Sequence, residues 1–587
     1  MKRMIRIWAL LPALLITGQL LGQDREDDLG TETVTVVRSY TPTVSDARKI
    51  RTFPEFTDSI VLQKKPVTYQ IHSVPVASTF TPAKGRAATV ERATPEKLYN
   101  SYAALGLGNY NNALADFYLS RDFDRGNQRV DFGLNHLSSR GDIDGAVLDT
   151  DFYNTALDVT YTRRDRDWEW DAAAGVEHRR YNWYGADTTA LVLQGASLAG
   201  VDATQDYFRG QVRGGIHMED SYFTDADVKL TRFWDAAESA ENHVQATAEF
   251  EFPLTEESLG VGLEVDYLGG EFANADQGSF TNDGGIAYRY LVASVRPGLL
   301  LLRDNLKLRL GARIATGLDL ENSESEFYIY PYVRGSYQLL DETVIAYGGV
   351  EGGLLQNSYD ALSHENPFVS PTLAIRPTDR QYEASLGLKG QLTPVFSYNI
   401  KGFYKAENFR PLFILNPINE TRGDEKGYLY GNSFRVFYDD VKTLGASAEI
   451  QLSVSRNFTL GASGVLYQYD TETDNPAWNL PDVESSVFLD YQNPSGWYFG
   501  ASLFYVGQRE DFASRAQPNT PSEEFPAQII ALPAYFDANA KGGYHLNDQL
   551  SLFLRASNLF ANEYQRWANF RVQGLQVLAG VSYKFDL

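Results

Sequence analysis

Apolar and polar residues alternate along short stretches of the chain from about Leu98 to the C-terminus. In "TLGASAEIQLSV", polar residues and a glycine interleave with the apolar set Leu444, Ala446, Ala448, Ile450, Leu452 and Val454. The stretches "ALDVTYT", "DWEWDAAAGVEH" and "VLAGVSYKFDL" repeat this period of two. Because successive side chains of a strand point to opposite faces, the alternation predicts strands with one apolar and one polar face.

The connections between the predicted strands differ in length in a regular order. Tight polar turns such as "RRDRD", "LRDN" and "NPSG" alternate with long polar loops at 180–204, 356–380, 408–441, 509–532 and 561–571. Short turns on one side and long loops on the other are typical of transmembrane β-barrels. We therefore predict an all-β protein, a 22-stranded antiparallel transmembrane β-barrel over residues 98–587. The strand-like stretch "YLYGNSFRVFYDDV" is assigned to an extracellular hairpin, because a membrane strand there would put a long loop on the periplasmic side.

A closed barrel meets the demand that a bilayer makes on the backbone. Every N–H and C=O in hydrocarbon needs a partner within the protein, so the last strand is expected to pair with the first, near "YNSYAALGLGNY". The apolar face of "VLAGVSYKF" then faces lipid, and aromatic residues near strand ends fit the interfacial girdles of such barrels. These aromatic residues are Trp168, Trp170, Trp497, Tyr583 and Phe585.

The N-terminus and the composition narrow the location and the partners. Residues 1–23 have the pattern of a secretory signal peptide: a basic start, the apolar run "IWALLPALLITGQLL" and a small residue before "QDREDD". The chain has no cysteine, which excludes disulfide and thiolate chemistry. A net charge of −24 argues against nucleic acid as a partner. Export and a barrel together predict the Gram-negative outer membrane, with its lipid as the surroundings.

The last two predicted strands resemble those of the TonB-dependent receptor family of outer-membrane transporters. The resemblance rests on "LFLRASNLFANEYQRW" followed by "GLQVLAGVSYKF", and its family-like motif consists of Asn558, Leu559, Phe560 and Tyr564. Outer-membrane transporters with 22 strands have a plugged lumen. The resemblance further implies that the terminal aromatic residues Tyr583 and Phe585 form the signal that the barrel-assembly machinery reads.

Residues 24–97 depart from this family, whose plug domain is longer. The segment contains six prolines and no sustained strand or helix pattern, so we expect a short, mostly extended periplasmic or lumenal segment instead of a full plug. Part of it resembles a TonB box, the extended peptide that the energy-coupling protein TonB captures as an added strand. The TonB-box-like residues are Glu32, Thr33, Val34, Thr35, Val36 and Val37. The alternative is a β-prone stretch that pairs with the barrel or with itself.

The sequence lacks the residue patterns of enzymes and metal sites. Its seven histidines are scattered without ligand spacing, and it contains no phosphate-binding loop or nucleophile motif. We therefore predict no catalytic residue, no metal and no cofactor. Two loops are better candidates for recognition. They are residues 363–383, which prolines restrict, and the apolar "PLFILNP", which a ligand, a partner or neighbouring loops must cover.

The resemblance implies energy-coupled import of an unidentified substrate, with TonB as the periplasmic partner. The alternative is a non-transporting barrel that serves as a scaffold for a partner protein filling or capping its lumen, and a passive channel is less favoured. An open lumen of this size would leak solutes. The N-terminal segment, infolded loops or a partner protein must therefore block it.

Overall fold

Twenty-two antiparallel strands form one closed sheet in the computed structural model, which describes residues 97–188, 191, 198, 200–273, 285–418, 426–513 and 528–587. The strands of this barrel are β1 (Ser101–Gly108), β2 (Ala113–Phe123), β3 (Gln128–Ser139), β4 (Phe152–Arg164), β5 (Trp168–Asn182), β6 (Thr204–Met218), β7 (Phe223–Asp235), β8 (Ala240–Leu254), β9 (Glu257–Phe272), β10 (Ile286–Arg303), β11 (Leu306–Asp319), β12 (Glu324–Leu340), β13 (Val344–Leu355), β14 (Thr378–Thr393), β15 (Phe396–Leu415), β16 (Phe434–Ser455), β17 (Phe458–Thr471), β18 (Val483–Gln492), β19 (Trp497–Val506), β22 (Tyr535–His545), β23 (Leu550–Ser557) and β26 (Gln576–Phe585).

Smaller elements lie in the connections between barrel strands. Two hairpins stand outside the closed sheet: β20 (Arg509–Ala513) with β21 (Gln528–Leu532), and β24 (Gln565–Trp567) with β25 (Phe570–Arg571). The connections also contain the helix α1 (Tyr359–Glu365) and a 3-10 turn at Asp124–Gly126. In the part of the chain described, no helix combines the length and the apolar character of a membrane span.

Side chains alternate between the outer wall and the lumen along the strands, as the sequence predicts. In β16, Leu444 is 52% exposed on the outer wall, whereas the adjacent Thr443 is 1% exposed on the lumenal side. The apolar face predicted for the last strand is confirmed, because Val581 and Tyr583 of β26 are exposed on the outer wall. Hydrocarbon on one side and water on the other explain why each strand needs only every second residue to be apolar.

The connections are sorted by length between the two ends of the barrel. On the side of the chain ends, ten turns contain only two to four residues, as at 255–256 and 304–305. The other side carries the long loops 140–151, 183–203, 273–285, 356–377, 416–433, 472–482, 507–534 and 558–575. Long loops mark the extracellular end of an outer-membrane barrel. The short turns therefore lie on the periplasmic end.

The barrel closes where β26 pairs with β1, from Ser101 opposite Phe585 to Gly108 opposite Leu578. Gly106 and Gly580 face each other in this seam. A Cβ atom on Gly580 would lie 2.3 Å from the carbonyl oxygen of Leu105, so the close approach requires glycine. The predicted pairing of the last strand with the first is confirmed.

The clearest departure from the predicted spans is the length of β15 and β16. The alternation predicts strands at 394–407 and 442–454, but the two strands continue pairing until Leu415 lies opposite Phe434. The extracellular hairpin predicted for "YLYGNSFRVFYDDV" corresponds to this continuation over residues 434–441, whereas residues 428–433 precede β16. The predicted signal peptide (1–23) and nearly all of the predicted N-terminal segment (24–97) lie outside the described residues.

Candidate functional site: the loop at the mouth of the barrel

The loop between β13 and β14, residues 356–377, folds into the extracellular mouth of the barrel and is called the mouth loop below. Its helix α1 begins after Ser358, whose hydroxyl accepts a hydrogen bond from the N–H of Ala361 at 3.0 Å. Such an N-cap satisfies one of the backbone donors that a helix start leaves unpaired. This short helix presents Tyr359, Leu362 and Ser363 as buried residues.

The mouth loop reaches across the lumen to the opposite part of the wall. Arg179 of β5 donates hydrogen bonds to the Ser363 carbonyl oxygen at 3.2 Å and to its hydroxyl at 3.0 Å. Tyr207 of β6 donates to the carbonyl oxygen of Pro367 at 2.9 Å. Because β5 lies eight barrel strands from β13, these contacts require the loop to cross the mouth.

Tyr359 of the mouth loop is fully buried, with 0% of its surface exposed. Its hydroxyl donates to Asp235 Oδ2 at 2.7 Å, and its backbone N–H donates to Glu241 Oε2 at 2.7 Å. Both carboxylates are buried at the ends of β7 and β8, and Glu241 also accepts from the Tyr288 hydroxyl at 2.6 Å. Burial raises the pKa of Tyr359, and the nearby Asp235 adds to the shift. A buried carboxylate without such donors would be costly, so Tyr359 and these acids stabilise each other.

The C-terminal end of α1 carries a cluster of charges. His364 lies 3.1 Å from Asp360 Oδ1 through Nδ1 and 3.3 Å from Glu177 Oε2 through Nε2. Arg209 approaches the same Glu177 oxygen at 2.7 Å, and Arg179 lies 3.9 Å from both carboxylates. Burial opposes the charged imidazole, but the hydrogen bonds to Asp360 and Glu177 outweigh it and raise the pKa of His364 to about 9. The cluster therefore carries a protonated histidine at neutral pH.

The second half of the mouth loop is held by aromatic packing with other extracellular loops. Phe368 stacks on Phe570 with ring centres 3.8 Å apart, and Tyr184 packs against both rings. The backbone N–H of Ser370 donates to the carbonyl oxygen of Phe434 at 2.8 Å, which continues the pairing of β16. Aromatic pairs of this kind add stability beyond their buried area.

The apolar stretch "PLFILNP" is covered by neighbouring parts of the same chain. Leu412, Phe413, Ile414 and Leu415 are all buried, and Phe413 packs edge-on against Trp567 at 5.3 Å. The sequence analysis leaves a ligand, a partner protein or neighbouring loops as what covers this stretch. In the structure, neighbouring loops cover it. The mouth is a packed assembly of loops over a polar lumen.

The lumen wall below the mouth loop carries opposite charges in pairs. Examples are Arg213 with Asp227 at 2.6 Å, His243 with Asp266 at 2.7 Å, Arg313 with Glu264 at 3.2 Å and Lys541 with Asp490 at 3.3 Å. The ring of Tyr332 lies among three guanidinium groups, those of Arg296, Arg309 and Arg334, at 5.0 to 6.0 Å. Such a wall suits a hydrated, polar solute. The described residues include no cluster of His, Asp and Glu side chains that could hold a metal ion.

The predicted site residues that the structure describes lie near the C-terminus. Tyr583 and Phe585 lie on the outer face at the periplasmic end of β26, with ring centres 6.0 Å apart. Their assignment as an assembly signal stays a prediction. The TonB-box-like residues 32–37 lie outside the described residues.

The family-like motif at 558–564 forms the start of an extracellular loop. Asn558 has a left-handed backbone with φ of 50°, and its side-chain nitrogen donates to the carbonyl oxygens of Asn562 and Gln573, both at 2.9 Å. Leu559 and Phe560 are exposed, while Tyr564 stacks on Tyr535 with ring centres 3.9 Å apart. The motif therefore shapes the loop between β23 and β26 and does not reach the mouth loop through these contacts.

Sequence reasoning missed the residues that hold the mouth loop: Arg179, Asp235, Glu241 and Tyr359. A partial signal exists, since Asp235 and Glu241 flank the short extracellular turn 236–239 at lumen-facing positions. In the sequence, however, charged residues at such positions are equally consistent with an ordinary lining of the lumen. Only the contact with Tyr359, more than a hundred residues away, distinguishes them.

Comparison with known proteins identifies the barrel. The family model described as TonB dependent receptor-like, beta-barrel matches residues 96–559. No curated protein is significantly similar to the chain in sequence.

Solved structures of two receptors and of an iron transporter share the fold at low sequence identity. The pyoverdine outer-membrane receptor FpvA from Pseudomonas aeruginosa PAO1 aligns with a TM-score of 0.61 and 13% identity, over 84% of this chain and 80% of that chain. The FrpB iron transporter from Neisseria meningitidis aligns with a TM-score of 0.62 and 12% identity, over 84% of this chain and 83% of that chain. The siderophore receptor PirA from Acinetobacter baumannii aligns with a TM-score of 0.58 and 13% identity, over 83% of this chain and 80% of that chain. The family model matches most of the length of the chain, and the fold is the barrel of that family. The chain therefore belongs to the TonB-dependent receptor-like β-barrel family of outer-membrane proteins.

Proposed function

We propose that this barrel imports a polar substrate across the outer membrane and that TonB supplies the energy through residues 31–40. The observation that carries the proposal is the mouth loop, which crosses the lumen and contacts β5 and β6 on the far wall. A pore crossed by a packed loop is a poor passive channel. It suits a transporter that opens only when a substrate or an applied force releases the loop.

The contacts of the mouth loop divide it into two parts with different properties. Residues 358–367 meet the wall through hydrogen bonds and ion pairs as well as through the ring of Tyr359, while Phe368 and its neighbours pack in an aromatic core with other loops. When the mouth opens, water or polar groups of a substrate can replace the lost partners of these polar contacts, which offsets much of the cost of breaking them. The helix α1 is therefore the part of the loop that we assign to gating.

The substrate class comes from the lumen and from the relatives. The paired charges and the arginines around Tyr332 favour a polar solute carrying hydrogen-bond acceptors or negative charge. FpvA binds pyoverdine, PirA is a siderophore receptor and FrpB is an iron transporter. Iron chelates are therefore the first substrates to test.

Deleting residues 31–40 tests the coupling. The deletion is expected to abolish uptake of radiolabelled candidate chelates and co-purification with TonB, while the barrel still assembles in the outer membrane. A deletion of equal length at 83–92 serves as the control and is expected to retain both properties. Unchanged uptake and unchanged TonB binding in the 31–40 deletion would contradict the proposal.

Two further measurements address the other functions. Purified barrel in a planar bilayer is expected to conduct no ions through its lumen, and steady conductance would favour the passive channel. Purification from the native membrane is expected to yield the barrel without a stoichiometric companion. A companion protein in equal amount would favour the scaffold.

A further inference from the structure

A groove indents the outer wall of the barrel at strands β4 to β8, away from the lumen and the mouth loop. It has a volume of about 540 Å³, and Gly210 is one of the residues that line it. A Cβ atom built on Gly210 meets no other atom within 4 Å, so a larger side chain at this outward position would enter open space in the groove. Its walls are aliphatic and come from Leu157, Val176, Val212, Leu230 and Val244.

The groove opens to the membrane side of the wall. Val176 and Val212 are 59% and 55% exposed, and both point away from the lumen on their strands. A volume of this size falls in the range of small-ligand sites. Most of the surface that the groove exposes is aliphatic, with Arg232 and Asn242 at one side, so an apolar chain fits the aliphatic part.

A positive charge lies at one side of the groove. Arg232 is paired in register with Gly210 across β6 and β7, and its guanidinium donates to Asn242 Oδ1 at 3.0 Å. Within the described part of the chain, Arg232 forms no ion pair. Arg180, the outward arginine nearer the extracellular rim, has Asp206 as its partner at 2.8 Å.

Arg232 lies near the extracellular end of β7, on the membrane side of a row of aromatic residues. It lies three residues before the extracellular end of β7, which is about 10 Å along a strand. The adjacent outward row toward the rim is aromatic: His178 stacks on Phe208 at 4.3 Å, and Phe208 stacks on Trp234 at 5.5 Å. Aromatic belts of this kind mark the membrane interface of β-barrels.

We propose that this groove is a binding site for an anionic lipid of the outer leaflet. One acyl chain lies in the aliphatic groove at Gly210, and the phosphate of the headgroup accepts hydrogen bonds from Arg232. A guanidinium on the lipid-facing wall is unfavourable unless it is paired, and a phosphate supplies the charge and the acceptors that it lacks. An apolar channel next to an unpaired arginine matches the two parts of such a lipid.

The test uses delipidated barrel in detergent, titrated with phosphatidylglycerol or with phosphatidylcholine of the same acyl chains and followed by native mass spectrometry. The unaltered barrel is expected to retain phosphatidylglycerol in preference to phosphatidylcholine. Gly210→Leu fills the groove and is expected to weaken retention of both lipids. Arg232→Gln is expected to weaken retention of both lipids, because both carry the phosphate, and to lower the preference for phosphatidylglycerol, which has no choline cation to offset its charge, about fivefold.

Matched controls come from the same outer wall. Gly402 is another outward glycine at which a Cβ meets nothing within 4 Å, so Gly402→Leu adds the same side chain elsewhere on the barrel. It is expected to leave lipid retention unchanged. Arg180→Gln removes an outward arginine that already has a carboxylate partner and is expected to change the preference less than Arg232→Gln does.

Three results would overturn the proposal. The first is equal retention of the two lipids by the unaltered barrel, and the second is an equal loss of lipid retention in the Gly210→Leu and Gly402→Leu proteins. The third is an unchanged preference for phosphatidylglycerol in the Arg232→Gln protein. The barrel could also form a dimer that dissociates in the Gly210→Leu protein but not when lipid is added. That result would identify a second barrel as the occupant of the groove and would also overturn the proposal.

Discussion

His364 lies between two carboxylates where the mouth loop meets the wall of the barrel. The charged His364 pairs with Asp360 and Glu177, and Arg179 and Arg209 contact the same carboxylates. The charge of His364 therefore helps to attach the mouth loop to the wall. Its pKa of about 9 in the folded protein is above the ordinary value of 6.5. The stabilisation is therefore complete below pH 6.5 and is lost as the pH rises through 9.

We predict that α1 is held more firmly at pH 6.5 than at pH 10. His364→Gln removes the charge and is expected to weaken the attachment by about 1–2 kcal/mol at neutral pH, a value discounted because the ring is partly exposed. Cleavage of the mouth loop by a broad-specificity protease, corrected for enzyme activity at each pH, measures the effect. The substitution should also flatten the pH dependence.

His217→Gln is the matched control for this experiment. His217 pairs with Asp225 near the periplasmic end, far from the mouth loop. Mouth-loop cleavage that responds equally to both substitutions would show that His364 has no special part in the attachment.

At the scale of elements, the strands follow from local pattern and the mouth loop does not. Each strand has lipid on one side and water on the other, so alternation such as Leu444 beside Thr443 is visible in a dozen residues. The fold of the mouth loop depends on contacts between distant residues, as Arg179 with Ser363 shows across 184 positions. The long pairing of β15 with β16 is an intermediate case, because its aromatic and apolar residues suggest a strand but only neighbouring loops explain their burial.

Tyr359→Phe is predicted to loosen α1 without unfolding the barrel. The substitution keeps the ring packing with Phe233 and Phe272 but removes the hydrogen bond to the buried Asp235. Loss of one donor to a buried carboxylate costs about 1–3 kcal/mol. Hydrogen exchange at 358–366 should accelerate accordingly, while the barrel strands keep their protection.

The outward Tyr404 of β15 provides the control for this substitution. It stacks on Tyr382 on the outer wall, away from the mouth loop, so Tyr404→Phe is expected to leave the exchange unchanged. Equal exchange in the Tyr359→Phe protein and the unaltered protein would refute the anchoring role.

At the scale of the whole molecule, the closed ring explains why the chain must finish on a strand. The last strand, β26, is bonded to both β23 and β1, so its ten residues complete two ladders at once. The strand number, the closure and the sorting of connections could all be predicted from the sequence, because a bilayer forbids unpaired strand edges. The role of Tyr583 and Phe585 concerns assembly and rests on the resemblance alone.

We predict that Tyr583→Ala with Phe585→Ala lowers the amount of assembled barrel severalfold. Both rings lie on the outer face at the periplasmic end, where an assembly factor in the periplasm can reach them before insertion. The heat-modifiable shift of the folded barrel in gel electrophoresis measures assembly. Phe560→Ala, an exposed aromatic residue in an extracellular loop, serves as the control and should assemble normally.

The seam between β1 and β26 also determines how the ring responds to mechanical force. Eight residue pairs hold this seam, against sixteen between β9 and β10, and the chain enters and leaves the barrel at the same end of it. Tension applied between the two termini would peel the seam open one pair at a time, starting from Ser101 and Phe585. Under the proposed coupling, TonB must therefore pull on the N-terminal segment with less force than the force at which this seam begins to separate.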